Sequence, residues 1–402
     1  MRKPISLFLV LFLLVPLLAG CWNQEELTNL AFVMAIGIDE AEHKQGYAVT
    51  FEVVNPGNVA ATQMGGGQGA PVVVYKSTGK TLLEAARKAS KELSRKIYFA
   101  HTNAVVISEE IARKGICDLL DILDRDPVFR TTTQLFIAKN ASAENVVSTL
   151  TILDKIPVYK LVKTIDVTEK MLGENLKVTV DDFIKDTVSN GKDPFANGVL
   201  LAGKQNQGHN MSNVAEAKPG VIIKIDGMAI FKKGKLIGWI DGSKARGVVW
   251  VLDKVEGTDV YVDWQGYKKA IGVVIRRSNV KISPSISNGK PAIQVTIKTE
   301  GDVEQVNKPV DITDPAIIKK LEDMAGQEIK KEVSESIRYV QRTKSDIYGF
   351  GEYFHRAYPR DWKKLKNNWN EQFSSMEVSV KSKVYIRRHG IRNKPFLSDM
   401  NQ

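Results

Sequence analysis

Cys21 is the residue whose type and spacing prescribe chemistry most directly. It follows Leu18-Ala19-Gly20. Two small residues and then a thiol form the lipobox pattern, in which a diacylglycerol thioether forms on the cysteine before cleavage on its N-terminal side. Only a thiol can accept the lipid, and Ala and Gly fit the peptidase site. The residues upstream suit that role. Met1-Arg2-Lys3-Pro4 is a positively charged start, and Ile5 to Ala19 is an apolar run interrupted only by Ser6 and Pro16. The run is shorter than the about 20 apolar residues a spanning helix needs. A charged start, a short apolar core and a small-residue cleavage site describe a secretory signal. The sequence therefore predicts a signal peptide over residues 1–20, with Cys21 as the lipid-carrying first residue of the mature chain. Two acyl chains anchor stably where one does not, so the anchor needs no further apolar span, and the downstream sequence offers none.

Other reactive groups are poorly arranged for catalysis. Gly79-Lys80-Thr81 sits between a strand and a helix, like the end of a phosphate-binding loop. Such a loop needs a first glycine five positions earlier, and that position is Val74. The histidines at 43, 101, 209, 355 and 389 show no metal spacing, and neither HExxH nor a cysteine pair occurs. No Gly-x-Ser-x-Gly elbow is present. Asp181-Asp182 and Asp253/Glu256 read as solvated or capping residues. Cys117 lies in an apolar helical stretch and reads as a small buried hydrophobe. No cofactor, no metal and no enzymatic activity is expected.

The charge is unevenly placed. Residues 353–402 hold 11 Lys and Arg against 4 Asp and Glu, while the whole chain holds 57 against 46. The basicity therefore belongs to the C-terminal end. Arg387, Arg388, Arg392 and Lys394, at or beyond the end of a final strand, are the candidate contacts to an anionic surface. Eight aromatics fall between Tyr348 and Phe373. Trp362, Leu365, Trp369 and Phe373 share one helical face, so these rings read as core.

The elements that must position these groups are mixed. Residues 30–39 read as a buried strand, and Tyr47–Val54 pairs with it as a hairpin. Further strands are expected at Val72–Tyr75, Ile97–Ile107 and Gln134–Ala138, with helices over 81–93, 109–124 and 143–150. Residues 151–220 are less periodic, and Gly203–Asn210 reads as a surface loop or linker. Residues 221–300 are rich in strands, including Val248–Leu252, with a hairpin turn at Lys232-Lys233-Gly234-Lys235. Asp314-Pro315 opens a long amphipathic helix, whose stripe runs from Ile317 to Val340. The fold class is α+β: mixed sheets with helices and a long C-terminal amphipathic helix. Its length is too great for a single core. The expected division is a signal over 1–20, an N-terminal α+β domain over 21–200, a strand-rich middle domain over 201–300 and a C-terminal domain over 301–402.

Several stretches together resemble the Ger(x)C family, the lipoprotein C subunits of spore germinant receptors. They are Cys21–Glu26, Leu30–Asp39, Arg95–Asn103, Asp346–Glu352 and Tyr358–Trp362, followed by Trp369, Phe373 and the alternating strand from Val378 to Gly390. The resemblance implies a three-domain α+β lipoprotein on the outer face of the spore inner membrane. It further implies action with two integral-membrane receptor subunits in nutrient sensing, no enzymatic role and no partner among nucleic acids. The alternative is a solute-binding lipoprotein of a transporter. Such proteins show two lobes of repeated βα units, which the consecutive strands of 221–300 disfavour.

Overall fold

The computed structural model describes residues 26–42, 46–60, 69–287, 290–308 and 310–388. Its first half is built on one mixed sheet. The strands are β1 (Leu30–Glu40), β2 (Tyr47–Val54), β3 (Val72–Gly79), β4 (Lys96–Tyr98), β5 (Ala104–Ser108), β6 (Gln134–Ala138), β7 (Phe195–Gly203), β8 (Val221–Lys232) and β9 (Lys235–Ile240). Their order is β3-β2-β1-β5-β6-β7-β8-β9, with β4 beside the start of β1. Antiparallel hairpins flank a parallel centre made of β1, β5, β6 and β7. The expected strand 97–107 is thus two strands, both pairing β1. The Lys232–Lys235 turn holds, with both central residues, Lys233 and Gly234, at positive φ. That is the twist a two-residue hairpin needs.

Helices cover both faces of this sheet, which is why β1 and β5 read as unbroken apolar runs. In chain order the helices are α1 (Pro56–Ala60), α2 (Leu82–Ala89), α3 (Glu109–Lys114), α4 (Cys117–Arg125), α5 (Ala143–Ser148), α6 (Pro157–Met171), α7 (Val180–Val188) and α8 (Ser212–Ala215). One core joins α2, α3, α4 and α7 to Ile36, Ile38, Phe51, Val105 and Ile107. The opposite core joins α5 and α6 to Ala35, Val106 and Phe136. The segment 203–210 is a surface stretch, yet it is tied down. Asn213 just beyond it is buried and bonds Leu150 O and both backbone groups of Val221.

The second sheet has the order β10-β11-β12-β13. Its strands are β10 (Thr258–Trp264), β11 (Tyr267–Ser287), β12 (Lys290–Val306) and β13 (Glu377–Arg388). The first three are antiparallel, and β13 runs parallel to β12. Helices α9 (Gly242–Val251) and α10 (Pro315–Thr343) pack on one face. Then follow α11 (Phe350–Ala357), α12 (Pro359–Leu365) and α13 (Trp369–Ser375). Asp314 caps α10 as its sequence predicts, accepting Ala316 N at 2.8 Å with Pro315 at the first turn. Leu321, Ala325, Ile329, Val333, Ile337 and Val340 form its buried stripe. The α+β class therefore holds.

One assignment is overturned. Val248–Leu252, expected as a strand, lies mostly in α9. That helix is exposed over Gly242–Lys244 but buried at Ala245 and from Gly247 to Val251, and a short all-apolar run such as 248–252 cannot be told from a buried strand by period alone.

Candidate functional site

The stretches that carry the resemblance sit at joints of the backbone. Asp39 at the end of β1 reaches the start of α5. Its two carboxylate oxygens accept Ala143 N and Glu144 N, each at 2.8 Å. It thereby satisfies amides that a helix leaves open. Gly37 lets α5 come this close, because a Cβ there would stand 3.1 Å from Ala143 backbone. Thr102 Oγ1 donates to Val33 O, and Asn103 N donates to Met34 O. Together these bonds hold the 99–103 turn against β1.

The stretch Asp346–Glu352 is the densest joint. Asp346 is fully buried, and its Oδ2 accepts Gly351 N at 2.9 Å and Trp369 Nε1 at 2.8 Å. Its backbone N donates to Asp193 Oδ2, and Asp193 N donates to Asp346 O, both at 2.9 Å. Ser345 Oγ donates to Phe231 O, and Ser189 Oγ to Glu352 Oε1. Tyr348 OH meets Ser336 Oγ at 2.9 Å. These bonds tie the C-terminal helices to α7, β7 and β8. Burial raises the Asp346 carboxyl to about 7 against the bonds it accepts. Around it Tyr348, Phe350, Phe354, Trp362, Trp369 and Phe373 are all buried, so these rings are core as expected, although Trp362 and Trp369 stand on two helices, α12 and α13, and not on one helical face.

The structure also places the other residues singled out in the sequence. Thr81 of the Gly79-Lys80-Thr81 stretch caps α2, accepting Glu84 N at 3.1 Å. Lys80 N donates to Glu84 Oε2, and the adjoining cleft is lined by Asp39, Glu40, Glu42, Glu84, Glu110 and Glu144. Lys76, Lys80 and Lys88 also line it, Lys76 paired with Glu144 and Lys88 with Glu84. Asp182 forms a capping box with Thr179, and Asp181 pairs with Lys185. Cys117 corrects its reading: it opens α4 and is exposed. Among the described residues no group of three His, Cys, Asp or Glu is placed to hold a metal ion. An apolar cavity of about 520 Å³ lies between α2 and α4, lined by Ile36, Val49, Phe51, Leu82, Ile122 and Phe129. Its polar rim is already engaged. Arg125 bonds Asp121 twice, and Asp126 accepts Val128 N and Phe129 N.

The sequence-predicted contacts are only partly placed. Cys21, Arg392 and Lys394 lie outside the described residues. Arg387 is exposed near the end of β13 and bonds Glu300 Oε1 at 2.6 Å. Arg388 ends β13, in register with Asp302. Sequence reasoning missed Asp193, Ser189 and Ser345. No local pattern marks them, since each matters only through a partner far along the chain.

Two family models match nearly the whole chain. Residues 23–200 match the spore germination protein N-terminal domain, and residues 226–390 match the spore germination B3/GerAC-like C-terminal domain. The chain belongs to the Ger(x)C family of spore germination proteins. Spore germination protein KC of Bacillus subtilis is 38% identical over 400 residues, with 98% of each chain covered. Spore germination protein B3 of the same organism is 25% identical and covers 93% of this chain and 95% of its own. The crystal structure of the GerBC protein aligns with a TM-score of 0.55 at 20% identity, covering 90% of this chain and 99% of that one. That likeness concerns the fold. Membership makes the chain a spore germination receptor component. The Asp346–Glu352 joint lies inside the C-terminal family match, while Asp193 lies inside the N-terminal one.

Proposed function

We propose that this chain is the lipid-anchored subunit of a nutrient germinant receptor. It is held at the outer face of the spore inner membrane through Cys21 and acts by contact with two integral-membrane subunits. The observation that carries the reading is full-length identity of 38% to a spore germination protein across both family segments. The lipobox at 18–21 supports the anchor. No helix among the described residues is long and apolar enough to cross a membrane, so a lipid is the anchor this reading requires. The joints at Asp39 and Asp346 fit a rigid docking body, because their polar groups are consumed in holding backbone. The sheets do not form the two repeated βα lobes of a solute-binding protein. Replacing Cys21 by Ala and fractionating spores tests the anchor. The wild-type chain should stay with the membrane and carry a diacylglycerol mass on Cys21, and Cys21→Ala should release it to the soluble fraction. Cross-linking from the anchored chain should capture multi-span subunits. Retention of Cys21→Ala on the membrane sinks the reading.

A further inference from the structure

The second sheet has one face covered by α10 and another that no helix needs to cover. Side chains alternate along its strands. Val280 and Ile282 of β11, Ile293, Val295 and Ile297 of β12, and Val380, Val384 and Ile386 of β13 join the core. Their neighbours point the other way and are exposed or half-buried throughout. On that outer face stand Arg277, Asn279, Lys281 and Ser283 of β11, then Gln294, Thr296, Lys298 and Glu300 of β12. Ser379, Lys381, Lys383, Tyr385 and Arg387 complete it from β13.

Register gathers the lysines. Lys281 pairs with Thr296, which pairs with Lys381. Lys298 lies directly beside Lys383. With strands about 4.8 Å apart and about 7 Å between same-face residues, the four lysines share a patch about 10 Å wide. Like charges directly opposite each other destabilise a sheet, yet the fold keeps Lys298 beside Lys383. Arg387 is the neighbour that finds a carboxylate, at Glu300. Among the described residues Lys281, Lys298, Lys381 and Lys383 have no ion pair, although Lys383 Nζ sits 4.9 Å from the Tyr385 ring.

We propose that this outer face of β11, β12 and β13, through Lys281, Lys298, Lys381 and Lys383, is a docking surface for an anionic lipid membrane. The face is charged and poor in apolar groups, with Tyr385 its one aromatic ring among the described residues. Protein interfaces concentrate aromatic residues and are depleted of lysine. A bilayer with acidic headgroups asks only for positive charge held close to a plane, and each basic residue near it adds about 1 kcal/mol, about fivefold in binding. This deepens the anchoring proposed above, and turns the anchored body so that one sheet lies along the membrane. It also moves the basic contact from the chain's extreme end to the sheet itself.

The test uses the mature chain carrying Cys21→Ala, so that no acyl chain contributes and failure of the anchor is a separate result. Vesicles of phosphatidylcholine alone, and of phosphatidylcholine with phosphatidylglycerol, are floated with the protein across a salt series. The chain should bind the acidic vesicles and not the neutral ones. Binding should weaken as salt shortens the Debye length below about 8 Å. Changing Lys281, Lys298, Lys381 and Lys383 together to Gln should lower binding at low salt by well over tenfold with an unchanged melting temperature. The same four changed to Arg should retain it. Lys91, Lys170, Lys204 and Lys224, exposed on the first half of the chain, serve as the charge-matched set, and their change to Gln should cost far less. Equal binding by the two Gln variants overturns the proposal. So does a wild-type chain that ignores acidic vesicles, which would leave an acidic protein segment as the occupant of this face.

Discussion

Glu52 is the least comfortable residue in the first sheet. It points from β2 into the core beneath α6, fully buried. Its Oε1 accepts only the Val158 amide, at a long 3.5 Å, and its Oε2 has no partner among the described residues. The neighbouring Thr50 Oγ1 on the same face is also unpartnered there. An ionised carboxylate in such a place loses its hydration without compensation, and burial raises Glu52 to about 8 from an ordinary 4.5. The sign follows from proton counts. Between 4.5 and about 8 the folded chain keeps the proton that the unfolded chain has released. The folded state thus binds more protons, and stability falls as pH rises through that window, by about 1.4 kcal/mol per unit. The contribution is fully present below 4.5 and lost above about 8. Glu52→Gln carries no ionisable group and should escape this term. Melting curves of both proteins from pH 5 to pH 9 check it. The advantage of Glu52→Gln should grow with pH and level off near 8, whereas parallel curves would refute the assignment. Asp346 titrates in both proteins and cancels from the comparison.

At the scale of elements, α9 and α10 form the tightest helix pair. Gly247 faces Ser336, and a Cβ there would stand 2.4 Å from Ser336 Cβ and 3.0 Å from Glu332 O. The pair is then locked by polar bonds: Glu332 accepts two nitrogens of Arg246 and, at 3.1 Å, Trp250 Nε1. Gly247→Val should push the helices apart and cost about 1–3 kcal/mol, the usual range for overpacking. A fall in melting temperature of several degrees checks it, and an unshifted midpoint would mean that the helices do not meet here. α9 is also where sequence reading failed, and α10 is where it succeeded. Between Ile317 and Val340 apolar and charged residues alternate at helical spacing, because one face meets the sheet and the other meets water. Val248–Val251 is an unbroken apolar run, because the C-terminal half of α9 is buried all round, and no period survives there. Residues 157–188 hide α6 and α7 for a different reason. Their buried positions, such as Val158, Leu161 and Ile165, are mixed with exposed Val167 and Met171, which blurs the stripe. The candidate site divides the same way. The buried aromatics Trp362, Trp369 and Phe373 were legible from spacing, whereas Cys21 lies outside the described residues and stays a proposal. The lysine face was not legible, because Lys298 and Lys383 become neighbours only through strand register.

At the scale of the whole molecule, the two halves share one apolar core, in which Phe195, Met228, Ile230 and Ile240 cluster with Ile271, Val273 and Ile275, and a polar seam between residues 189–193 and 345–352 adds to it. In it Asp346 N donates to the Asp193 carboxylate and Asp193 N to Asp346 O, while Ser345 bonds Phe231 O and Ser189 bonds Glu352. The seam also needs two glycines in contact. A Cβ on Gly191 would stand 2.6 Å from both Glu352 N and Gly351 C, and 3.0 Å from Gly351 Cα. These are backbone atoms, so no rotamer change relieves the clash. A chain that docks by one sheet and meets its partners elsewhere must transmit position through this core and seam, so their rigidity is a functional quantity under the proposed reading. Gly191→Val should open the seam through a backbone clash, without changing any side chain of the shared core. In the wild-type chain, amides of β1 and β5 and amides of β11 and β12 should lose hydrogen-exchange protection together in rising denaturant, as one cooperative unit. In Gly191→Val the two groups should separate into distinct openings, and the chain should melt at lower temperature. Coincident loss of protection at the wild-type midpoint would show that the sheets are coupled by something other than this glycine contact.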